Sequence, residues 1–370
     1  MSAPLKRVIR VLVVDDSPVA RELLAYLLNS DPALEVIGVV ADGEQAVEAA
    51  ARLRPDVITM DIHLPRLDGY AATRMIMETC PTRIVMVTAS PVAHEVADNF
   101  RVLEAGALAV LAKPSGPGHP EHAQITDELL RTVKLMAEVS VVRRWRRNDS
   151  WGASAASASV SVSASSSSSP PPPAPAAGAE LRLVAIGAST GGPLALHTIL
   201  ARLRQPFAAP ILVVQHISPG FVAGLVEWLG RGCGGAVRVA GHGELALAGN
   251  IYLAPDDAHM TVRAEGGVAR IALSSAPPEH GARPAVARLF HSAAAFGPRA
   301  AGVLLTGMGR DGAQELLTMQ QAGALTIAQD PDSAIVNGMP GEAVRLGAAR
   351  HVLAPEAIAG LLNSLTPGAR

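Results

Sequence analysis

Ile186-Gly187-Ala188-Ser189-Thr190-Gly191-Gly192 closes an apolar run that begins at Leu183. Such a run reads as a buried strand, and the glycines after it require a sharp turn into a helix. The serine between small residues fits G-x-S-x-G, a strand-to-helix elbow that exposes a hydroxyl at a sheet edge. Gly-rich turns of this kind also cradle phosphates, but the dinucleotide version expects an acid about 20 residues further on. Here the next strand, Ile211–Gln215, ends in Gln215-His216 instead, which favours catalysis. A third strand, Ala301–Thr306, leads through Gly307-Met308-Gly309-Arg310 to Asp311. Ligand sites of open α/β sheets lie outside the carboxyl ends of the strands. Neighbouring strands would therefore bring a hydroxyl, an imidazole and a carboxylate to one crevice, the inventory of nucleophilic acyl transfer.

Other readings of these residues are blander. A histidine is more often structural than catalytic; His197 and His291 fall on predicted helices, and His259 and His280 in predicted loops. His216 differs in ending a buried strand at the edge that carries Ser189. Asp311 alone also admits the lesser reading of a cap on the helix after it. The order Ser, His, Asp departs from the Ser, Asp, His of α/β-hydrolases, so an ordinary member of that fold is not expected.

The chain has 370 residues, enough for two domains with separate cores. A formal net charge of -2 gives no global footprint for nucleic acid or anionic lipid. Hydrophobic residues make up 49%, which suits parallel sheets covered by helices. No apolar run approaches the roughly 18 residues of a membrane span. Lys6 and Arg7 before an apolar run mimic a signal peptide, but Arg10 and Asp15-Asp16 interrupt it, and a buried first strand fits better. Cys80 and Cys233 match no disulfide or metal spacing, so a reduced, cytoplasmic protein is expected.

Residues 7–142 alternate strand and helix. Strands are expected at Val8–Val14, Glu35–Ala41, Val57–Met60, Ile84–Thr88 and Ala107–Ala112. Helices are expected at Pro18–Leu28, Gly43–Leu53, Gly69–Glu78, Val92–Ala105 and Ile125–Val142. Residues 143–180 turn Arg-rich, then Ser/Ala-rich, then Pro-rich. That composition buries too little surface to repay ordering entropy and reads as a flexible linker. Residues 181–370 alternate again: strands at Leu183–Ala188, Ile211–Gln215, Ala301–Thr306 and Leu325–Ala328, helices at Pro193–Arg204, Pro219–Gly230, Pro284–Ala295, Gly312–Gln321 and Met339–Leu346. Val237–Leu273 reads as hairpins. The fold class is α/β, two doubly wound parallel-sheet domains joined by a disordered Ser/Pro/Ala linker.

The first domain carries a second cluster. Asp15-Asp16 follow its first strand and Asp61 its third, ends that are adjacent in a doubly wound sheet. Carboxylates so close repel unless a divalent cation neutralises them, and Mg²⁺ suits hard oxygens that keep waters for a phosphate to replace. Thr88 and Lys113 end the fourth and fifth strands, placing a hydroxyl and an ammonium for the oxygens of a phosphoryl group on Asp61.

These residues, with Pro65, Asp68-Gly69, Ala89 and Pro114, resemble the receiver domain of two-component response regulators. The resemblance implies that Asp61 is the phosphoacceptor, that Asp15, Asp16, Asp61 and the His63 carbonyl make the Mg²⁺ site, and that Thr88 and Lys113 sense the phosphate. Where many receivers carry a switch aromatic, three residues before the lysine, this chain has Val110, so a switch would rest on Thr88 and its loop.

From Leu183 to Leu353 the chain resembles the catalytic domain of chemotaxis protein-glutamate methylesterases. The elbow, Gln215-His216 with Pro219-Gly220-Phe221, Tyr252-Leu253-Ala254-Pro255, Arg283-Pro284 with Leu289-Phe290-His291-Ser292, Leu305–Gly309 with Asp311-Gly312, and Gly338-Met339-Pro340 carry the match. Gly281-Ala282 before Arg283 and Ala287 depart from a more polar family pattern. The resemblance makes Ser189 the nucleophile, His216 the base and Asp311 the orienting acid; the backbone N–H groups of Thr190 at the elbow and Met308 in the Gly-rich turn are candidate oxyanion donors by position. It implies a hydrolase of glutamate γ-methyl esters on a membrane chemoreceptor, with glutamine deamidation by the same chemistry and no cofactor for the esterase. A histidine kinase would phosphorylate Asp61 and relieve inhibition by the receiver. Partners would include neither nucleic acid nor an inserted membrane segment. A non-catalytic, receiver-gated adaptor is the alternative, although all three reactive residues are present; a DNA-binding output would need a basic helix-turn-helix or winged half that this sequence lacks.

Overall fold

The computed structural model describes residues 7–89, 100–116, 118–119, 122–139, 180–265 and 268–365. The expected linker lies outside the described residues except for Glu180, as does most of the expected helix over 92–105. In the first domain β1 (Ile9–Val14), β2 (Leu34–Val40), β3 (Val57–Met60), β4 (Arg83–Thr88) and β5 (Ala109–Ala112) form one parallel sheet in the order β2-β1-β3-β4-β5. Its helices are α1 (Pro18–Asn29), α2 (Gly43–Leu53), α3 (Gly69–Thr79), α4 (Arg101–Ala105) and α5 (His122–Met136). Side chains of Ser17, Asp42 and Asp68 accept the first free N–H groups of α1, α2 and α3, which fixes where each begins. The order reverses at β1, so the crevice opens beyond the ends of β1 and β3, where Asp15, Asp16 and Asp61 sit.

From Leu183 the strands are β6 (Leu183–Ala188), β7 (Ile211–Gln215), β8 (Ala236–Val239), β9 (Leu245–Ala246), β10 (Asn250–Leu253), β11 (His259–Glu265), β12 (Val268–Ser274), β13 (Ala300–Leu304), β14 (Leu325–Gln329) and β15 (His351–Leu353). Seven of them form a parallel sheet, β15-β14-β13-β6-β7-β10-β8, and β11-β12-β9 form a small antiparallel one. Around them lie α6 (Gly192–Leu200), α7 (Val222–Gly232), α8 (Val286–Ala293), α9 (Ala313–Gln321), α10 (Met339–Arg345) and α11 (Pro355–Leu365). Every residue of β6, β7, β13 and β14 is buried, which is why these strands read as unbroken apolar runs. Strand β6 lies between β13 and β7, so the ends carrying Ser189, His216 and the turn to Asp311 are neighbours.

The stretch Val237–Leu273 departs from the hairpin expectation. Strands β8 and β10 extend the main sheet in parallel beside β7, and only β9, β11 and β12 pair antiparallel. Ile251, Tyr252 and Leu253 are all buried, which an interior strand covered on both faces provides and a surface hairpin does not. His259, expected in a loop, is the first residue of β11 and is buried. The helix expected to reach Arg204 stops at Leu200, and the one expected from Pro219 starts at Val222, after Gly220 turns at positive φ. Strand β15 and helix α11 had no expected counterpart; three residues are too few for a period-2 pattern.

The two domains pack through the α4–α5 side of the first. Phe100 stacks on Trp228 with ring centroids 5.6 Å apart, and Trp228 Nε1 donates to Glu104 Oε1 at 3.1 Å. Met308, Ile335 and Val336 of the second domain join the apolar cluster around β5 and α5. Among the described residues no helix is long and apolar enough to cross a membrane.

Candidate active site

Ser189 sits one residue past β6, on a turn that Gly191 completes at a φ of +80°, a region other residues adopt only with strain. A Cβ on Gly307 would lie 2.6 Å from the Ser189 Cβ, so the elbow and the β13 turn touch because position 307 is bare. Three bonds hold the elbow. Ser189 N donates to Thr306 O at 3.0 Å, the Thr306 hydroxyl donates to Thr190 O at 2.9 Å, and Gln215 Nε2 donates to Ser189 O at 2.7 Å. The same Gln215 nitrogen donates to His216 O at 2.8 Å, tying the serine turn to the end of β7.

His216 Nε2 lies 2.9 Å from Asp311 Oδ2. This is hydrogen-bond separation, although the ring N–H is not well aligned with the oxygen. Asp311 does not cap the helix that follows it, α9, whose N-cap is Gly312. Its carboxylate instead accepts Val286 N at 2.7 Å and Ala287 N at 2.9 Å, the first turn of α8. Burial pushes the Asp311 carboxyl upward, but the His216 ring and these two N–H groups outweigh it and hold the pKa below the ordinary value of 3.8. The group is a fixed anion. Ser189 and His216 line one cavity of about 1150 Å³ with Thr190, Met308 and Arg283. No hydrogen bond joins the Ser189 hydroxyl to the ring in this arrangement. Catalytic contacts often tighten only with substrate present.

The first domain also walls that cavity, with Leu108, Val110, Gln124, Glu128 and Leu135 among its residues. Glu128 Oε2 accepts the Ser218 hydroxyl at 3.0 Å, two residues beyond His216. On the rim, Arg283 is held by Asp257 at 2.6 Å.

In the acidic pocket, ligand atoms of Asp15, Asp16 and Asp61 lie within 4.8 Å of one another. Lys113 Nζ stands 2.7 Å from Asp15 Oδ2 and 2.9 Å from Asp61 Oδ2. Burial alone would lower the Lys113 pKa, but the two carboxylates raise it above 10.5. Burial raises Asp15, with Lys113 offsetting part of that. The Thr88 hydroxyl is buried without a protein partner, an orphan that a ligand oxygen would satisfy. All-oxygen carboxylates with one exposed member suit a hard, partly hydrated cation such as Mg²⁺.

Two family models match: "CheB methylesterase" over residues 184–362 and "Response regulator receiver domain" over residues 11–123. A Geobacter metallireducens protein, called protein-glutamate methylesterase/protein-glutamine glutaminase 4, is 50% identical over 96% of this chain and 99% of its own. A Nitrosospira multiformis relative with the same designation is 49% identical over 96% of this chain and 97% of its own. The chain belongs to the protein-glutamate methylesterase family.

The methylesterase is thus a hydrolase with a receiver domain in front of its catalytic domain, and the comparisons give the adaptor alternative no support. Among solved structures it resembles the Thermotoga maritima CheB methylesterase catalytic domain, at 35% identity over 50% of this chain and 100% of that one, with a TM-score of 0.49. The response regulator domain of Thermotoga maritima CheB matches at 41% identity over 36% of this chain and 99% of that one, with a TM-score of 0.33. The sequence reading missed the bracing of the methylesterase elbow by the Thr306 hydroxyl and the Gln215 amide. It also missed His259, whose Nδ1 accepts Ala285 N at 3.2 Å beside the Asp311 contacts. A polar residue ending an apolar run was the available signal for Gln215 and Thr306. Nothing local marked Glu128, whose partner lies 90 residues away.

Proposed function

We propose that this chain hydrolyses γ-methyl esters of glutamate side chains on a chemoreceptor, and deamidates glutamines there, through an acyl-enzyme on Ser189. The Ser189 hydroxyl attacks the ester carbonyl while His216 takes its proton. His216 then protonates the leaving methanol, or ammonia from an amide, and a water activated by the same ring releases the glutamate. Asp311 holds Nε2, so Nδ1 is the ring nitrogen left for the serine proton. The tetrahedral oxyanion would be met by the N–H groups of Thr190 and Met308. Base catalysis of this kind contributes roughly 10²–10⁴ in rate, and each oxyanion donor about 10²–10³. The observation that carries the reading is the 2.9 Å approach of His216 to Asp311 at the mouth of the cavity that Ser189 lines.

Regulation belongs to the same proposal. A histidine kinase or small phosphodonor would phosphorylate Asp61, and Thr88 and Lys113 would bind the phosphoryl oxygens. Mg²⁺ held by Asp15, Asp16, Asp61 and the His63 carbonyl supplies charge neutralisation for that transfer when bound. Loss of the Lys113–Asp61 ion pair on phosphorylation would change the end of β5, whose neighbours α4 and α5 wall the catalytic cavity. The free thiols Cys80 and Cys233 suit a reducing, cytoplasmic setting. The test is methanol release from methylated receptor by the full chain, with and without a small phosphodonor. Ser189→Ala should abolish release and Asp61→Asn should abolish the phosphodonor effect; release undiminished in Ser189→Ala would refute the assignment.

A further inference from the structure

We propose that Glu128, on receiver helix α5, occupies the glutamyl side-chain slot of the active site, so that the closed enzyme is held by an internal mimic of its own product. The inference rests on the reading above and adds the means by which the receiver blocks the site. The product of either reaction is a protein-borne glutamate carboxyl. Glu128 is such a group, and it lines the same cavity as Ser189 and Met308.

Its Oε2 accepts the hydroxyl of Ser218 at 3.0 Å, and Ser218 itself is buried. The groups that act on the carboxyl are Arg131 on its own helix, and His216 with Ser218 from the end of β7. Burial raises the Glu128 pKa, while Ser218, Arg131 and the catalytic imidazole pull it down. The base that serves the substrate carbonyl is therefore also a charge partner of this receiver carboxyl. Glu104 meets an indole N–H beside the Phe100–Trp228 stack, whereas Glu128 meets a buried hydroxyl next to the strand end that carries His216, and a carboxyl taken from water costs free energy that one hydroxyl does not restore.

Replacing the acid by its amide turns a product mimic into a substrate in cis. In Glu128→Gln, Ser189 Oγ attacks the side-chain carbonyl carbon, the C–N bond breaks, and ammonia departs with a proton from His216. Water then cleaves the acyl-enzyme, leaving Glu at position 128 and Ser189 regenerated. One water is consumed and one ammonia released.

The experiment uses unphosphorylated full-length Glu128→Gln in water labelled with heavy oxygen, read by peptide mass spectrometry. Residue 128 should become glutamate carrying one labelled oxygen. The change should stop in the Ser189→Ala double variant and slow when a small phosphodonor is added. Persistence of the amide, while the same sample turns over methylated receptor repeatedly, overturns the mimicry. A second variant, Glu128→Ala, should lower the apparent KM for methylated receptor several-fold and leave kcat unchanged, because the block is competitive. A changed kcat at constant KM overturns it too. Failure of the parent reading is separate, since no methanol would then be released with the phosphodonor present.

Discussion

At the residue scale the site depends on one carboxylate with two duties. Asp311 lies 2.9 Å from His216 Nε2, where it would orient the ring, and also accepts the first two N–H groups of α8. Asp311→Asn keeps the shape, loses the anion and offers the ring a wrong hydrogen-bond partner. It should lower kcat by about 10³–10⁴ with little change in KM. Stability should fall as well, by roughly 1–3 kcal/mol, since a charged acceptor of buried N–H groups is gone. The sign with pH follows from the depressed pKa. Asp311 contributes stability that is complete above its ordinary value of 3.8 and is lost as pH falls through the lower folded value. Melting curves against pH should show the variant less sensitive over that acid window. The sequence allowed Ser189, His216 and Asp311 to be placed at one sheet edge because the first two follow apolar runs directly and the third follows one through a Gly-rich turn. The helix that Asp311 caps was not, since Val286 lies 25 residues from it. Ala287, a departure from the family pattern, contributes a backbone N–H and a buried methyl, so an acidic side chain is not needed for the contact with Asp311.

At the element scale one side-chain amide ties the ends of β6 and β7, beside the backbone bond from His216 N to Ala188 O at 2.9 Å. Gln215 Nε2 donates to both Ser189 O and His216 O. Gln215→Leu fills a similar volume and cuts both bonds. It should cost about 1–3 kcal/mol, measured by denaturant unfolding. It should also lower kcat by about 10²-fold with KM nearly constant, the effect of misplacing reacting groups by about an ångström. A parental kcat in this variant would show that the strand ends hold their register without it. The βα alternation and the buried strands β6, β7, β13 and β14 were readable because burial on both faces leaves a continuous apolar run. The joining of β8 and β10 to the sheet was not. Gly and polar residues around them set a local hairpin pattern, while the pairing of β10 with β7 is decided by tertiary packing.

At the scale of the whole molecule, the catalytic cavity is walled by the receiver, and Glu128 gives that closure a pH dependence. Its pKa is raised in the closed arrangement by burial, so the closed form binds the proton more tightly than an open form would. Closure is strongest below the ordinary value of 4.5 and weakens as pH rises through the raised one. The ratio of unphosphorylated to phosphodonor-activated kcat/KM should therefore climb with pH across that window and flatten in Glu128→Met. Arg131 and His216 face the same carboxyl, so neutralising Arg131 should move the midpoint upward. A truncation beginning near Leu181 should exceed the unphosphorylated full chain in kcat/KM; equality would remove the gating reading. The composition that marked residues 143–180 said where one domain ends, but nothing in either half announced which faces meet. That depends on pairs such as Phe100–Trp228 and Glu128–Ser218, distant in sequence and ordinary in type.

The central claim is that a hydroxyl and an imidazole from two strand ends act as one unit. Methanol release from methylated receptor, with phosphodonor present, should be measured for Ser189→Ala, His216→Ala and the double variant. Each single change should cost on the order of 10⁴–10⁶ in kcat, and the double no more than the worse single. Losses that multiply in the double variant, or a single variant that keeps the parental rate, would contradict the account.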